Sequence, residues 1–507
     1  MKITRNCGLL LHVTSLPGAY GIGTLGREAY EFIDQLREGG QRFWQILPVG
    51  PVSSFFGFSP YSSSSTFAGN PLFISIETLQ QEEWLSADRI GDIPVDRGSG
   101  YVDFERVLRQ TFVCLRRAFE HFRKDADQKM MESFSRFCET HRWWLEDFAL
   151  FTALAHYHGS FNWQSWPPAV ACREPAALKT WRHKLAEEIR FQQFVQFVFF
   201  SQWERLRQYA RQKGIRIIGD LPIYVTMDSA DVWANRNIFQ LDRDTGKPLA
   251  VAGVPPDYFS KTGQRWGNPL YRWFEGKSLK RKTLQWWQHR LQHLLMMVDL
   301  VRIDHFRGFE AYWAIPAGEK TAVKGEWLPG PGAAFFNYLK QDLGELSLIA
   351  EDLGMITPAV EKLRDDFGLP GMKVLQFAFD GYRENPYLPH NFKTRNCIVY
   401  TGTHDNNTSR GWFFGAETDE ERRKRILDYM GVEGGDEFHW HFIRLALDSG
   451  ADLAVIPVQD ILGLEEEDRM NFPGQAERNW AWKLKPGQLG GEELKRLKHL
   501  CQLYKRV

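Results

Sequence analysis

Residues Leu284–Asp304 read LQWWQHRLQHLLMMVDLVRID. Leu284, Trp287, Leu291 and Leu294 recur at the three- and four-residue spacing of one helix face. The pattern then changes to a short apolar run, Val298–Ile303, which ends on Asp304. The same succession occurs upstream, where the helical pattern Phe191–Leu206 leads into Ile215–Gly219 and Asp220. Nearer the start, Leu9–Val13 reads as a strand. Ala29, Tyr30, Phe32, Ile33 and Leu36 mark a helix closed by Gly39-Gly40, and Phe43–Leu47 is the next strand. Leu348–Ala350, Met372–Phe377, Cys397–Thr401 and Leu453–Val458 complete the set; Thr357-Pro358 caps a helix after the first, and a helix at Phe438–Leu447 precedes the last.

Eight strands with helices between them predict an α/β fold, a (β/α)8 TIM barrel with long helical and loop insertions. Residues 1–74 hold strands one and two. Residues 75–190, rich in Trp, Phe, Arg and Glu, read as an inserted helical subdomain. Residues 191–507 carry the remaining strands, a long connection over 224–271 and a C-terminal helix. That connection is rich in Pro, Gly, Asp and Trp and has few helical runs; structureless connections of such length are uncommon unless functional.

Composition excludes several classes. The 507 residues hold 63 Lys+Arg and 63 Asp+Glu, so no basic excess favours nucleic acid or an anionic membrane. Six cysteines without a CxxC pair argue against a zinc ribbon or a disulfide scaffold and point to a reducing cytoplasm. No apolar run reaches the length of a membrane span, and the N-terminus lacks a signal-peptide layout. The 19 Trp are a surplus which, placed in loops, would offer flat platforms to a ligand. Two motifs read as decoys. Gly21-Ile22-Gly23-Thr24-Leu25-Gly26 fits the dinucleotide pattern, but Thr14–Tyr20 separates it from its strand and no acid ends the second strand; a turn into the first helix is the simpler reading. His289 and His293 have zinc-pair spacing, but Arg290 stands where a zinc helix carries Glu and leucines surround them.

The acids at strand ends carry the chemistry. Asp220, Asp304 and Glu351 follow three strands directly, and Asp405 follows a fourth through Gly402-Thr403-His404. A parallel barrel delivers all strand C-termini to one rim, so these side chains converge. A lone acid there is an ordinary helix cap; four together, with Arg302 on the same side of its strand as Asp304 and His404 beside Asp405, read as a site. Crowded carboxyls spread their pKa values, leaving one protonated and one ionised near neutrality, as glycosidic bond cleavage requires.

Nearly the whole chain, Gly8–Trp482, resembles glycoside hydrolase family 77, the amylomaltases and plant disproportionating enzymes. The resemblance rests on SPYSSSSTFAGNP (Ser59–Pro71), GDLPIYV (Gly219–Val225), DSADVWAN (Asp228–Asn235), VAGVPPDYFSKTGQRWGNPLYRW (Val251–Trp273), VRIDHFRGFEAYW (Val301–Trp313), AEDLG (Ala350–Gly354), PGMKVLQFAFD (Pro370–Asp380) and YTGTHDN (Tyr400–Asn406). It implies Asp304 as nucleophile, Glu351 as general acid/base and Asp405 as transition-state stabiliser. It implies substrate contacts from Arg302, His404 and Asp220, sugar packing on Tyr61, a flap over the groove with Trp266 near its tip, and a remote glucan platform at Phe56. The expected activity is 4-α-glucanotransfer, with malto-oligosaccharides as donor and acceptor and with no metal or organic cofactor. Three readings compete with it: an α-amylase-type hydrolase, a non-catalytic glucan-binding protein, and an NAD-dependent oxidoreductase resting on the glycine motif alone.

Overall fold

Each strand owes its burial on both faces to a helix outside and a packed interior within, which is why these segments read as apolar runs rather than alternations. The computed structural model describes residues 4–85, 96, 98–256, 260–475 and 478–507. Its barrel strands are β1 (Asn6–Leu10), β2 (Phe43–Gln45), β3 (Arg216–Pro222), β4 (Leu300–Asp304), β5 (Leu348–Ala350), β6 (Gly371–Val374), β7 (Cys397–Tyr400) and β8 (Leu453–Pro457). They form one parallel sheet in the order β5-β4-β3-β2-β1-β8-β7-β6. The Ala350 N–H donates to the Pro370 carbonyl at 2.9 Å, drawing the two outer edges together. The fold is the expected (β/α)8 barrel. Between β1 and β2 the backbones approach so closely that a Cβ on Gly8 would lie 2.6 Å from the Phe43 Cβ.

Strand positions agree with the sequence to within a few residues. The largest shift is at the first, which runs Asn6–Leu10 rather than Leu9–Val13. Its partner β8 pairs Asn6 with Leu453, and Val13–Ser15 turns into a short 3-10 helix that leads the chain over the rim. Predicted caps are in place. Gly39 ends the helix Arg27–Glu38, and the Thr357 side chain accepts from the Val360 N–H ahead of Pro358–Asp366. The glycine motif behaves as a turn, with Gly26 at the N-cap of the first helix.

Between β2 and β3 the described residues contribute helices at Phe104–Asp125, Gln128–Thr140, Arg142–His158 and Pro175–Lys184, then the long Ala186–Gln212. Residues 86–95 and 97 of the expected 75–190 segment lie outside the described residues. Buried glutamines on the long helix grip the first loop. Gln196 accepts from the Gly69 N–H at 2.7 Å and donates to the Gly69 carbonyl at 3.0 Å, and Gln202 does the same for Ser75 at 2.8 and 3.3 Å. The pairing satisfies a loop backbone that would otherwise be buried unpaired. His293 is a core residue whose ring nitrogen pairs with the Phe67 carbonyl at 2.8 Å; among the described residues no cluster of three His, Cys, Asp or Glu side chains is placed to hold a metal.

The 224–271 connection corrects its sequence reading. Ala250–Val254 and Gln264–Pro269 are antiparallel strands, joined to Ala311–Pro316 and Glu326–Pro329 in a four-stranded sheet. Its partners come from the connection after β4, and an isolated reading of 224–271 contains neither. Trp266 lies near the start of the strand Gln264–Pro269, just past the turn; residues 257–259 of that turn are outside the described residues. Cys7 and Cys501, 494 positions apart, bring their thiol sulfurs to 3.1 Å. Among the described residues no helix is long and apolar enough to cross a membrane.

Candidate active site

Register places the site. On β3 and β4, Asp220 lies opposite Arg302, and Pro222 opposite Asp304. On β4 and β5, Ile303 lies opposite Ala350, so Asp304 and Glu351 leave adjacent strands at the same level. Side-chain alternation puts Arg302 and Asp304 on one face of β4, turned into the barrel.

Arg302 is the anchor. Its Nη1 donates to both Asp220 oxygens, at 2.8 and 2.7 Å, and its Nη2 donates to Asp304 Oδ1 at 3.0 Å. The Asp220 side chain has no exposed surface and Arg302 has 4%, whereas Asp304 keeps 31% open. Asp220 also accepts from the Tyr61 hydroxyl at 2.7 Å. Tyr61 stacks on His404 with ring centroids 5.1 Å apart and planes 16° from parallel. His404 Nε2 lies 3.2 Å from Asp405 Oδ2, and the Asp405 side chain is 49% exposed. A single network therefore joins Asp220, Arg302, Asp304, Tyr61, His404 and Asp405.

Glu351 is held from the end of β4 and from the turn after its own strand. Its Oε2 accepts from the His305 N–H at 2.6 Å and its Oε1 from the Leu353 N–H at 3.0 Å. The acids then part in character. Burial raises Glu351 to about 7, with the Asp304 charge adding to it. Burial also raises Asp304, to about 6, against the opposing charge of Arg302. Burial works against ionised Asp405 too, but the charge and hydrogen bond of His404 and the amide of Asn471 outweigh it and hold the group well below the usual carboxylate range. Near neutral pH the proton of the Asp304–Glu351 pair resides on Glu351, leaving Asp304 anionic beside its guanidinium.

Seven of the nine residues singled out in the sequence meet here. Trp266 joins at one remove, its indole edge-on to His305 at 4.9 Å and 89°. Phe56 stands apart. It packs on Phe55 and Phe161, which line a cavity of about 790 Å³ between the first loop and the helices. Sequence reasoning did not find Asn471, whose amide donates to Asp405 Oδ1 at 2.6 Å, or Arg469, which donates to the Asp405 carbonyl at 3.1 Å. It also missed Trp480, whose ring lies 5.6 Å from Tyr61. These come from the segment after β8, where no periodicity marks them.

Because Asp220 is fully enclosed, removing its cation should leave a buried charge unpaired. Arg302→Met is expected to lower unfolding free energy by about 3–5 kcal/mol, as for other broken buried pairs. Urea titration at pH 7 measures it; a loss under about 1 kcal/mol, the value of a surface pair, would mean that Arg302 is not the anchor.

Three carboxyls with divided protonation, gathered with a guanidinium and an imidazole at the carboxyl rim of a parallel barrel, define an enzyme acting on glycosidic bonds. The family model described as 4-alpha-glucanotransferase, glycoside hydrolase family 77, matches residues 11–489. A 4-alpha-glucanotransferase of Synechocystis sp. is 48% identical over 99% of this chain and 98% of its own length. That of Thermus thermophilus is 48% identical over 100% of both chains. The solved amylomaltase of Streptococcus agalactiae, in complex with acarbose, superposes with a TM-score of 0.93 at 38% identity, covering 99% of each chain. The chain belongs to glycoside hydrolase family 77, the 4-alpha-glucanotransferases.

Proposed function

We propose that this enzyme moves α-1,4-glucan segments between malto-oligosaccharides by a retaining double displacement, with Asp304, Glu351 and Asp405 as its three working acids. The observation that carries the assignment is the paired ends of β4 and β5, where the Arg302 guanidinium donates to Asp304 Oδ1 at 3.0 Å and Glu351 accepts from the His305 and Leu353 N–H groups. Glu351 protonates the glycosidic oxygen while Asp304 attacks the anomeric carbon from the opposite face. The bond to the leaving glucan breaks, and a β-glucosyl ester to Asp304 forms. Glu351, now ionised, takes the proton of an incoming 4-hydroxyl as that oxygen displaces the ester, restoring the α-1,4 bond. Asp405 and His404 hold ring hydroxyls more tightly as the sugar becomes oxocarbenium-like.

Arg302 and Asp220 aim the nucleophile, Tyr61 offers its face to the reacting glucose, and Trp266 presents an indole from the flap sheet. Phe56 serves as a remote platform beside the aromatic cavity. The 75–190 helices form an inserted subdomain that packs on the first loop, Phe104 stacking on Phe58 and Trp143 and Trp144 meeting Phe67. The six unpaired cysteines agree with a cytoplasmic setting. Family membership favours transfer over hydrolysis, and the flap sheet is suited to excluding water and orienting a sugar hydroxyl. Incubation of pure enzyme with maltotriose decides the reading. Glucose together with a ladder of longer maltodextrins is expected; maltose and glucose alone would falsify transfer.

A further inference from the structure

Cys7 and Cys501 stand 494 positions apart in the chain and take no part in the reaction above. Cys7 lies on β1, and Cys501 lies in the last turn of the helix Gly491–Leu503. Their sulfurs are 3.1 Å apart, and both residues are fully buried. Among the described residues this is the one contact between two thiols. The surroundings treat the two sulfurs differently. Gln41 Nε2 donates to the Gly39 carbonyl at 2.9 Å and to Cys501 Sγ at 3.3 Å. The hydrogen bond from Cys7 draws the Cys501 thiol below its ordinary value against burial, and Gln41 and the Arg506 charge act in the same direction. Cys7, the donor of that bond, is pushed well up. One sulfur is set as the nucleophile and the other as its proton-bearing partner.

The chain end covers the pair. Lys505 is left-handed, φ 54°, and folds the tail back so that the Arg506 N–H reaches the Cys501 carbonyl at 2.8 Å. The Arg506 carbonyl then lies 3.7 Å from Cys7 Sγ. Its guanidinium is fixed by the carbonyls of Asn6, Leu447 and Ser449 at 3.0, 2.6 and 3.1 Å. Chain ends are the first part of a fold to open, and a gap there admits a molecule little larger than water. We propose that Cys7 and Cys501 are an oxidation site: a hydroperoxide closes them into a reversible disulfide that locks the C-terminal helix onto β1 and leaves the catalytic rim untouched. The Cys501 thiolate attacks one peroxide oxygen; the S–O bond forms, the O–O bond breaks, and hydroxide leaves with the Cys501 proton as water. The Cys7 sulfur then attacks the sulfenic sulfur. The S–S bond forms, the S–O bond breaks, and the second hydroxide takes the Cys7 proton. Two thiols lose two electrons, and the peroxide is reduced to two waters. Closing from 3.1 Å to the about 2.05 Å of a disulfide asks each sulfur for about half an ångström. The bond would tie an outer helix to the outward side of a barrel strand, away from the acids at the rim, so it acts on stability rather than on catalysis.

The test treats the reduced full-length enzyme with hydrogen peroxide, blocks the remaining thiols with N-ethylmaleimide in denaturant, and digests it without reductant. Mass spectrometry is expected to find the Cys7 and Cys501 peptides joined, lighter by two hydrogens than the reduced pair. The oxidised enzyme should melt about 2–5 °C higher than the reduced one, because a cross-link across nearly the whole chain restricts the unfolded state. Dithiothreitol should return it to the starting value, and maltotriose turnover should be the same in both forms. Cys7→Ser and Cys501→Ser should each abolish the joined peptide and the peroxide-dependent rise. Should either variant fail to fold, the comparison of oxidised with reduced native enzyme decides by itself. Recovery of Cys7 and Cys501 as separate maleimide adducts, at a peroxide dose that oxidises the exposed Cys172, would overturn the proposal. So would a joined peptide that leaves the melting temperature unchanged or lower, or that removes turnover.

Discussion

Asp304→Asn is expected to lower kcat for maltotriose disproportionation by about 10⁴–10⁶-fold, the loss seen when a covalent catalyst is deprived of its nucleophile. The substitution is nearly isosteric, and the amide oxygen can still accept from Arg302, so the barrel should fold as before. What disappears is the anion that attacks the anomeric carbon and carries the glucosyl ester. Arg302 has another carboxylate, Asp220, at 2.7 Å, and remains in place. The chemical signature is sharper than the rate. With Asp304→Ala and an activated α-maltosyl fluoride donor, azide can enter the vacated space and attack from the nucleophile's face. The product should be the β-glycosyl azide, of inverted configuration. Turnover of Asp304→Asn within tenfold of the native enzyme would remove Asp304 from its role.

The second large effect is at Glu351. Glu351→Gln is expected to cost about 10²–10⁴-fold with maltotriose, the range for a lost general acid. It should cost far less in the first step with α-maltosyl fluoride, whose leaving group needs no proton. Azide added to Glu351→Ala with that donor should trap the β-linked intermediate and yield the α-glycosyl azide, opposite in configuration to the Asp304→Ala product. Equal losses with the two donors would argue against the assignment. The native enzyme should show a bell-shaped kcat/KM. It rises as Asp304 ionises near about 6 and falls as Glu351 loses its proton near about 7, the two values belonging to the interacting pair.

Stability follows with a definite sign. Both groups are raised above their ordinary values of 3.8 and 4.5, so the folded protein binds more protons than the unfolded chain. Their contribution to stability is present at low pH and is lost as pH rises through the folded values. Glu351→Gln removes one of these costs. Its amide leaves one of the two backbone N–H groups without an acceptor, so its melting temperature should lie below that of the native enzyme near pH 4 and gain on it steadily from about pH 5 to pH 8. Thermal melts across that range check it; a deficit of the variant against native that widens toward pH 8 would contradict the sign.

The βα succession was legible because local patterning reports what a segment packs against. An apolar face at helical spacing or a short apolar run records burial, and Gly39 and Thr357 mark helix ends by backbone chemistry that acts within one turn. The acids were legible for a related reason. A parallel barrel sends every strand end to the same rim, so the strand ends alone bring Asp304, Glu351 and Asp405 together.

What only the tertiary structure decided are relations between segments that carry no mark of one another. The flap sheet pairs Ala250–Val254 with Ala311–Pro316 across some sixty residues. Asn471 reaches Asp405 from beyond β8, and Cys7 on β1 meets Cys501 on the helix Gly491–Leu503. The left-handed turn at His305 belongs with these. No propensity predicts it, because its cost is borne by the surrounding packing and by the Glu351 carboxylate that receives its N–H. Sequence patterning specifies which faces are buried; barrel closure and strand register specify which side chains then meet.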